Sequence, residues 1–262
     1  PATTAIYTLS LHDALPIYRY EAQDYKGAAE AFERFVSESP AVHNRMLALF
    51  SMADCYVRME QFDKGAKAYG QVVEWLTPKE NNPYVKTTDE VKKAADLLEK
   101  ARFYVGYSLF KMPVEGEMKP RIRAAAVQTL EAFAKDYEKS DLAPKAINLV
   151  GAIQLDLGKS DEAAKTFEAL GKKWPASEDG KSALFSLIRA AIEIKRYDIA
   201  EDAFGKMMAT EKPGVPSKLY SPEQFVRVGQ WMQEGKKYAS AVKAFDMRSE
   251  ERRVGKECRS RW

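Results

Sequence analysis

What most constrains this chain is that it matches itself when displaced by 37 residues. In one match Tyr25, Ala28, Phe32 and Phe35 fall on Phe62, Gly65, Tyr69 and Val72. In another, Ala126, Leu130, Phe133, Tyr137, Ser140 and Ala146 fall on Ala163, Phe167, Leu170, Trp174, Ser177 and Ala183. Small residues meet small ones and large meet large. A period of this length marks a supersecondary unit that cannot bury its own apolar face and must stack on its next copy.

The stretch APKAINLVGAIQLDLGKSDEAAKTFEALGKKWP, Ala143 to Pro175, shows the unit most clearly. Ile147, Val150 and Gly151 share one face of a first helix, with Gly151 admitting a close neighbour. Gly158 breaks that helix. Ser160 is expected to cap a second helix, with Asp161 and Glu162 favourable in its first turn. Ala163, Phe167 and Leu170, spaced four and three, form its inward stripe, and Pro175 stops it. Hairpins are expected to begin near residues 46, 99, 144, 181 and 222, preceded by one represented by its second helix alone, YKGAAEAFERFVSESP. The small second-helix position is then Ala28, Gly65, Ala126, Ala163, Ala200 and Ala241, followed by a large one at Phe32, Tyr69, Leu130, Phe167, Phe204 and Phe245. No alternating strand pattern competes with this period, so the expected fold is all-α.

This order of large, small, aromatic and proline positions resembles the tetratricopeptide repeat over residues 18–247, about five to six hairpins. The resemblance implies a helical-hairpin repeat solenoid, a right-handed superhelix. Two departures stand out: the insertion Met112 to Pro120 inside the third unit and the long link Thr77 to Asp89 before it. Both are expected to be surface loops. The endings around Tyr137 and Trp174 resemble the envelope subset of these repeats, found in bacterial outer-membrane assembly lipoproteins and Tol-Pal coordinators.

The two ends are unlike the middle. One oligonucleotide that resembles a common sequencing adapter encodes Ile6 to Ile17 in one direction and Arg248 to Trp262 in the other. Residues 1–17 and 248–262 are therefore expected to be foreign to the repeat, the chain to be truncated at both ends, and no targeting segment can be read from it. His12 and Cys258 leave the chemistry with them, so His43 and Cys55 remain as the sole histidine and cysteine. The last fifteen residues hold six basic and three acidic side chains and Asp13 stands at the other end, which leaves about +1 of the net +3 to the repeat. That balance gives no basic surface for nucleic acid.

Chemistry is scarce. One cysteine and one histidine make no disulfide and no Cys/His metal site. Cys55 is expected in the core and His43 at a helix start. The strings Gly158 to Ser160 and Gly180 to Ser182 lack the earlier glycine of a phosphate loop and are expected to be hairpin turns. No catalytic residue, cofactor site or metal site is assigned, and no apolar run is long enough to span a membrane; a lipid anchor on a preceding segment remains compatible.

The resemblance instead implies a groove built from first helices that holds a protein or peptide. Counting from the small first-helix residue places Phe50, Asp54 and Arg58, then Phe103, Tyr107 and Lys111, then Asn148, Ala152 and Asp156, then Phe185, Arg189 and Glu193 toward it. The clamp of two lysines, two asparagines and one arginine that chaperone-binding members use for C-terminal carboxylates is missing. The expected function is a non-enzymatic scaffold or adaptor, weakly favoured in a bacterial periplasm or outer membrane over the cytoplasm. The alternative is the repeat segment of a larger enzyme or regulator whose catalytic or effector domain lies outside this chain.

Overall fold

The computed structural model describes residues 11–38, 42–77, 88–211 and 217–247, and these form helices joined by short turns and loops. The chain divides between Glu138 and Lys139 into two compact units. The first holds α1 (Leu11–Glu21), α2 (Tyr25–Glu38), α3 (Val42–Arg58), α4 (Phe62–Leu76), α5 (Thr88–Lys111) and α6 (Met118–Asp136). The second holds α7 (Leu142–Asp156), α8 (Ser160–Lys173), α9 (Glu178–Glu193), α10 (Tyr197–Ala209), α11 (Pro222–Glu234) and α12 (238–247). Odd and even helices pair as antiparallel hairpins, so the all-α repeat expected from the 37-residue period is the fold.

The repeat works through one recurring contact. A Cβ at Gly106, Gly151 or Gly229 would stand 2.7, 2.5 and 2.5 Å from Leu130, Phe167 and Phe245 respectively. The small first-helix residue is thus the place where the large second-helix residue crosses. Ala28, Ala126, Ala163 and Ala200 are fully buried at the neighbouring crossing, as are Tyr69, Leu130 and, within a few per cent, Phe32, Phe167 and Phe204. Each large side chain so buried contributes about 1.5–3 kcal/mol. Around them, Met46, Leu49, Val72 and Ala101 complete the first unit's core, and Leu170, Ile188, Met207, Phe225 and Met232 the second's.

The turns inside the hairpins repeat as well. Gln23, Glu60, Gly158, Lys195 and Lys236 all have φ between 58° and 72°. The following N–H bonds back five residues in each case: Asp24 to Arg19, Gln61 to Tyr56, Lys159 to Gln154, Arg196 to Ala191 and Lys237 to Met232, at 2.7–2.9 Å. This Schellman geometry satisfies the orphan carbonyls at the end of every first helix except α5. There the insertion replaces the turn, and the buried Arg123 guanidinium donates instead to the Leu109 and Met112 carbonyls at 3.0 and 3.3 Å. The insertion is also shorter than expected, since α6 already starts at Met118, and α5 begins at Thr88, eating into the link before it.

Three further expectations are corrected. The first hairpin is not headless: α1 fills the first-helix slot, and the boundary at Ile17 falls inside it. Ser160 does not cap α8. Lys159 occupies the cap position, and the Ser160 hydroxyl donates to the Glu193 carboxylate on α9, a partner that a local capping rule cannot foresee. Gly180 to Ser182 is not a turn but the first turn of α9, whose start is fixed by Ser177 accepting from the Gly180 N–H at 2.9 Å. Asp24 caps α2 in the same way, accepting from the Gly27 N–H at 2.9 Å, and Ser221 makes a reciprocal capping box with Gln224 at the start of α11.

Candidate functional site

The residues expected to line a groove lie on α3, α5, α7 and α9, and the two units present them differently. In the first unit, Phe50, Asp54 and Arg58 follow one another at four-residue steps down α3, so they share one face. Phe50 is half-buried and meets Tyr69 of α4 edge-on at 5.0 Å and Tyr104 of α5 at 6.3 Å. Tyr104 in turn stacks on Tyr69 at 5.3 Å and 18°. Beyond this aromatic wall, Asp54 Oδ2 accepts from Arg58 Nε at 2.7 Å and from the Tyr20 hydroxyl of α1. The Arg58 guanidinium lies over two rings, 5.2 Å from the centre of Tyr20 and 5.3 Å from that of Tyr25.

The electrostatics follow from this arrangement. Burial, then the bond to Asp54, pushes the Tyr20 hydroxyl up to about 12, so it stays a donor. The Asp54 bond raises Arg58 above its ordinary value. With side chains 46% and 24% exposed, this i,i+4 ion pair is a surface pair worth about 0.3–0.5 kcal/mol. Each ring beneath the guanidinium adds about 0.5–1 kcal/mol. Behind them, the Tyr69 hydroxyl is buried without a hydrogen-bond partner, as are the Ser108 hydroxyl and Arg45 Nε. Burial, and next the charge of Asp54, raise Tyr69 above the tyrosine range. An unpaired buried hydroxyl costs about 1–3 kcal/mol.

Phe103 departs from the expected groove. It is 1% exposed and packs edge-on to Phe133 of α6 at 5.7 Å, because the missing side chain of Gly106 lets α6 close on that side. Its neighbour Tyr104 reaches the face instead. Tyr107 is half-buried and stacks on Phe103, with Lys111 Nζ 5.9 Å above its ring. Counting along one helix also missed Tyr20 and Tyr25. Their relation to Asp54 spans 34 residues for Tyr20, and no local pattern carries it.

In the second unit the face is more polar. Asn148 donates to Asp179 at 3.0 Å, Ala152 is half-buried, and Asp156 is exposed. Phe185 is half-buried and lies 5.7 Å from Trp231 of α11, a ring the sequence reading did not select. Exposed Arg189 donates to Glu193 at 3.1 Å, and Glu193 also holds Ser160.

As chemistry, these groups bind and orient. Cys55 is fully buried, and burial followed by the charge of Asp54 pushes its thiol up to about 12, so no thiolate is available near neutrality. Among the described residues no three His, Cys, Asp or Glu side chains stand together to hold a metal ion. The His43 side chain, like the segments 1–10 and 248–262, lies outside the described residues. No helix among the described residues is long and apolar enough to cross a membrane.

The fold is similar to solved structures over most of its length. It aligns with the apo form of RapI at 13% identity and TM-score 0.55, covering 94% of this chain and 98% of that one. It aligns with PilF of Pseudomonas aeruginosa at 9% identity and TM-score 0.53, covering 89% and 86%, and with MamA at 17% identity and TM-score 0.51, covering 80% and 94%. At these identities the likeness concerns the fold. No curated protein sequence matches the chain. The tetratricopeptide-repeat family model matches residues 47–74, the α3/α4 hairpin of the first unit, and residues 149–177, the α7/α8 hairpin of the second. A tetratricopeptide repeat is thus matched once in each unit, on hairpins marked by the 37-residue period, within an all-α hairpin-repeat fold.

Proposed function

We propose that this protein is a non-enzymatic scaffold that holds a partner protein or peptide on its first-helix faces, and that it works in the bacterial cell envelope, in the periplasm or at the outer membrane. The observation that carries the binding role is the cluster of Tyr20, Tyr25, Phe50, Asp54, Arg58 and Tyr104. Rings and an arginine gathered on an accessible face are the groups that dominate binding hot spots. The half-buried Phe185 and Trp231 beside the Arg189–Glu193 pair give the second unit a smaller face of the same kind. A nearly neutral repeat favours protein over nucleic acid, and the inert Cys55 thiol favours binding over catalysis. The envelope placement is supported by the repeat endings at Tyr137 and Trp174.

Screening a displayed peptide library on the immobilised chain tests the binding role. Peptides selected by the wild-type protein should be lost on a Tyr107→Ala, Arg189→Ala double variant whose circular dichroism is unchanged. Equal capture would remove Tyr107 and Arg189 from the binding faces, and turnover by the chain alone would overturn the non-enzymatic part of the reading. Fractionation of cells producing the full-length gene product tests the compartment, and a purely cytoplasmic product would refute the envelope.

A further inference from the structure

We infer that the Tyr20, Tyr25 and Asp54 cluster of the first unit is a receptor for a guanidinium group, the side chain of an arginine on the partner segment, with Arg58 as its resident competitor. The inference rests on the scaffold reading and names the chemistry that face selects. Arg58 itself shows what the cluster holds, since its guanidinium sits 5.2 and 5.3 Å from the two ring centres while Nε meets Asp54 Oδ2 at 2.7 Å. A carboxylate flanked by ring faces attracts a planar, weakly hydrated cation, and a guanidinium is that group among side chains.

The resident arginine uses the receptor incompletely. It reaches Asp54 from one turn further along α3 and delivers only Nε, while its Nη1 lies 3.4 Å from the Tyr25 hydroxyl. No described residue donates to Asp54 Oδ1, and the Tyr69 hydroxyl behind Phe50 and Tyr104 has no partner. An arginine from another chain is free of the α3 backbone and can present two parallel N–H groups to both carboxylate oxygens, the geometry that strengthens arginine–carboxylate pairs. Arg58 is half-exposed, so it can swing into water without unpacking a helix, and the exchange replaces a one-pronged contact by a two-pronged one.

The test is calorimetric titration of the full chain with a glycine- and serine-rich peptide carrying one arginine, and with versions carrying citrulline, lysine or glutamate there. Arg58→Gln should bind the arginine peptide about twofold tighter than the wild-type protein, the factor expected from releasing a surface i,i+4 pair. Adding Asp54→Asn should weaken it roughly tenfold or more, as loss of a charge-assisted bond does. Citrulline and glutamate versions should bind weakly to every variant. Should Asp54→Asn lose helicity, Tyr25→Leu, which removes a ring and spares the carboxylate, carries the same expectation of weaker binding. The inference is overturned if Arg58→Gln binds no tighter than wild type, if citrulline matches arginine, or if lysine does. Failure here with continued capture of library-selected peptides, still lost on Tyr107→Ala, Arg189→Ala, would leave the scaffold standing without this receptor; failure of both assays would remove both.

Discussion

Gly151→Ala is the sharpest test of how these hairpins hold together. A methyl group on Gly151 of α7 would lie 2.5 Å from Cε1 and Cζ of Phe167 and 3.0 Å from its Cδ1. Carbon atoms settle at about 3.5–4.0 Å, so the ring must retreat by roughly 1 Å. It has little room to do so, being 2% exposed within the core that includes Leu170 and Ala183. Overpacking of this kind costs about 1–3 kcal/mol, against a gain of about 1 kcal/mol from replacing glycine inside a helix. The net expectation is a loss of about 0–2 kcal/mol. Gly205 of α10, in the same unit, is the control: a methyl there meets nothing within 4 Å, so Gly205→Ala should stabilise by about 0.5–1 kcal/mol. Urea unfolding followed by circular dichroism reads both. Adding Phe167→Leu to Gly151→Ala should reveal a favourable coupling of about 0.5–3 kcal/mol in a double-mutant cycle. If Gly151→Ala stabilises as much as Gly205→Ala and shows no coupling to residue 167, the crossing is not the contact that specifies the hairpin.

Other expectations follow from the same geometry. Phe204→Ala should cost about 3–5 kcal/mol by the cavity it leaves, and Ala200→Leu about 1–3 kcal/mol by overpacking, both measured by the same unfolding transition. Glu60→Gly and Lys195→Gly should each raise the urea midpoint by about 0.5–1 kcal/mol equivalent, since both positions sit at φ 58°, where a side chain is strained and glycine is not. Raising pH should destabilise the protein: Cys55 goes from an ordinary 9.0, and Tyr20 and Tyr220 from 10.0, up to about 12 in the folded state. The folded form therefore holds these protons more tightly, and their contribution is fully present below about pH 9 and is lost as pH rises towards 12. Helicity at a fixed intermediate urea concentration, followed beside tyrosinate absorbance, should fall across that window; a flat profile would contradict the burial of these groups.

The parts of the fold legible in the sequence are those where one residue type answers to one packing demand. Ala163 and Phe167 could be placed because no other sizes fit a crossing that leaves Phe167 on the Gly151 backbone. The turns were largely illegible for the opposite reason. Only Gly158 announces a positive φ, whereas Gln23, Glu60, Lys195 and Lys236 are driven into it by the packing of the helices they join and by the carbonyls they release to the following N–H. On the candidate face, helical counting found Phe50, Asp54 and Arg58 because all three lie on one helix. It failed at Phe103, where a close approach at Gly106 turns that side inward, and it could not find Tyr20 or Tyr104, whose place depends on contacts between helices.

The first helix bears on how much unrelated sequence such a fold can accept. If Ile6 to Ile17 and Arg248 to Trp262 derive from one oligonucleotide, then the first half of α1 was recruited rather than selected. Pro16 lies inside α1, where it removes a backbone hydrogen bond and carries a cost of about 3 kcal/mol in an ordinary helix interior. Of the described side chains in this half, Pro16 is buried and Ile17 packs on the core beside Ala28 and Phe32, while Leu15 is exposed. Among the described side chains of α1, the directional contacts are those of Arg19 with Asp24 and of Tyr20 with Asp54. Hydrophobic attraction depends on area and not on direction. An open second helix can therefore recruit an unrelated apolar segment into the slot, while the register of that segment is set by the few residues that can form specific bonds.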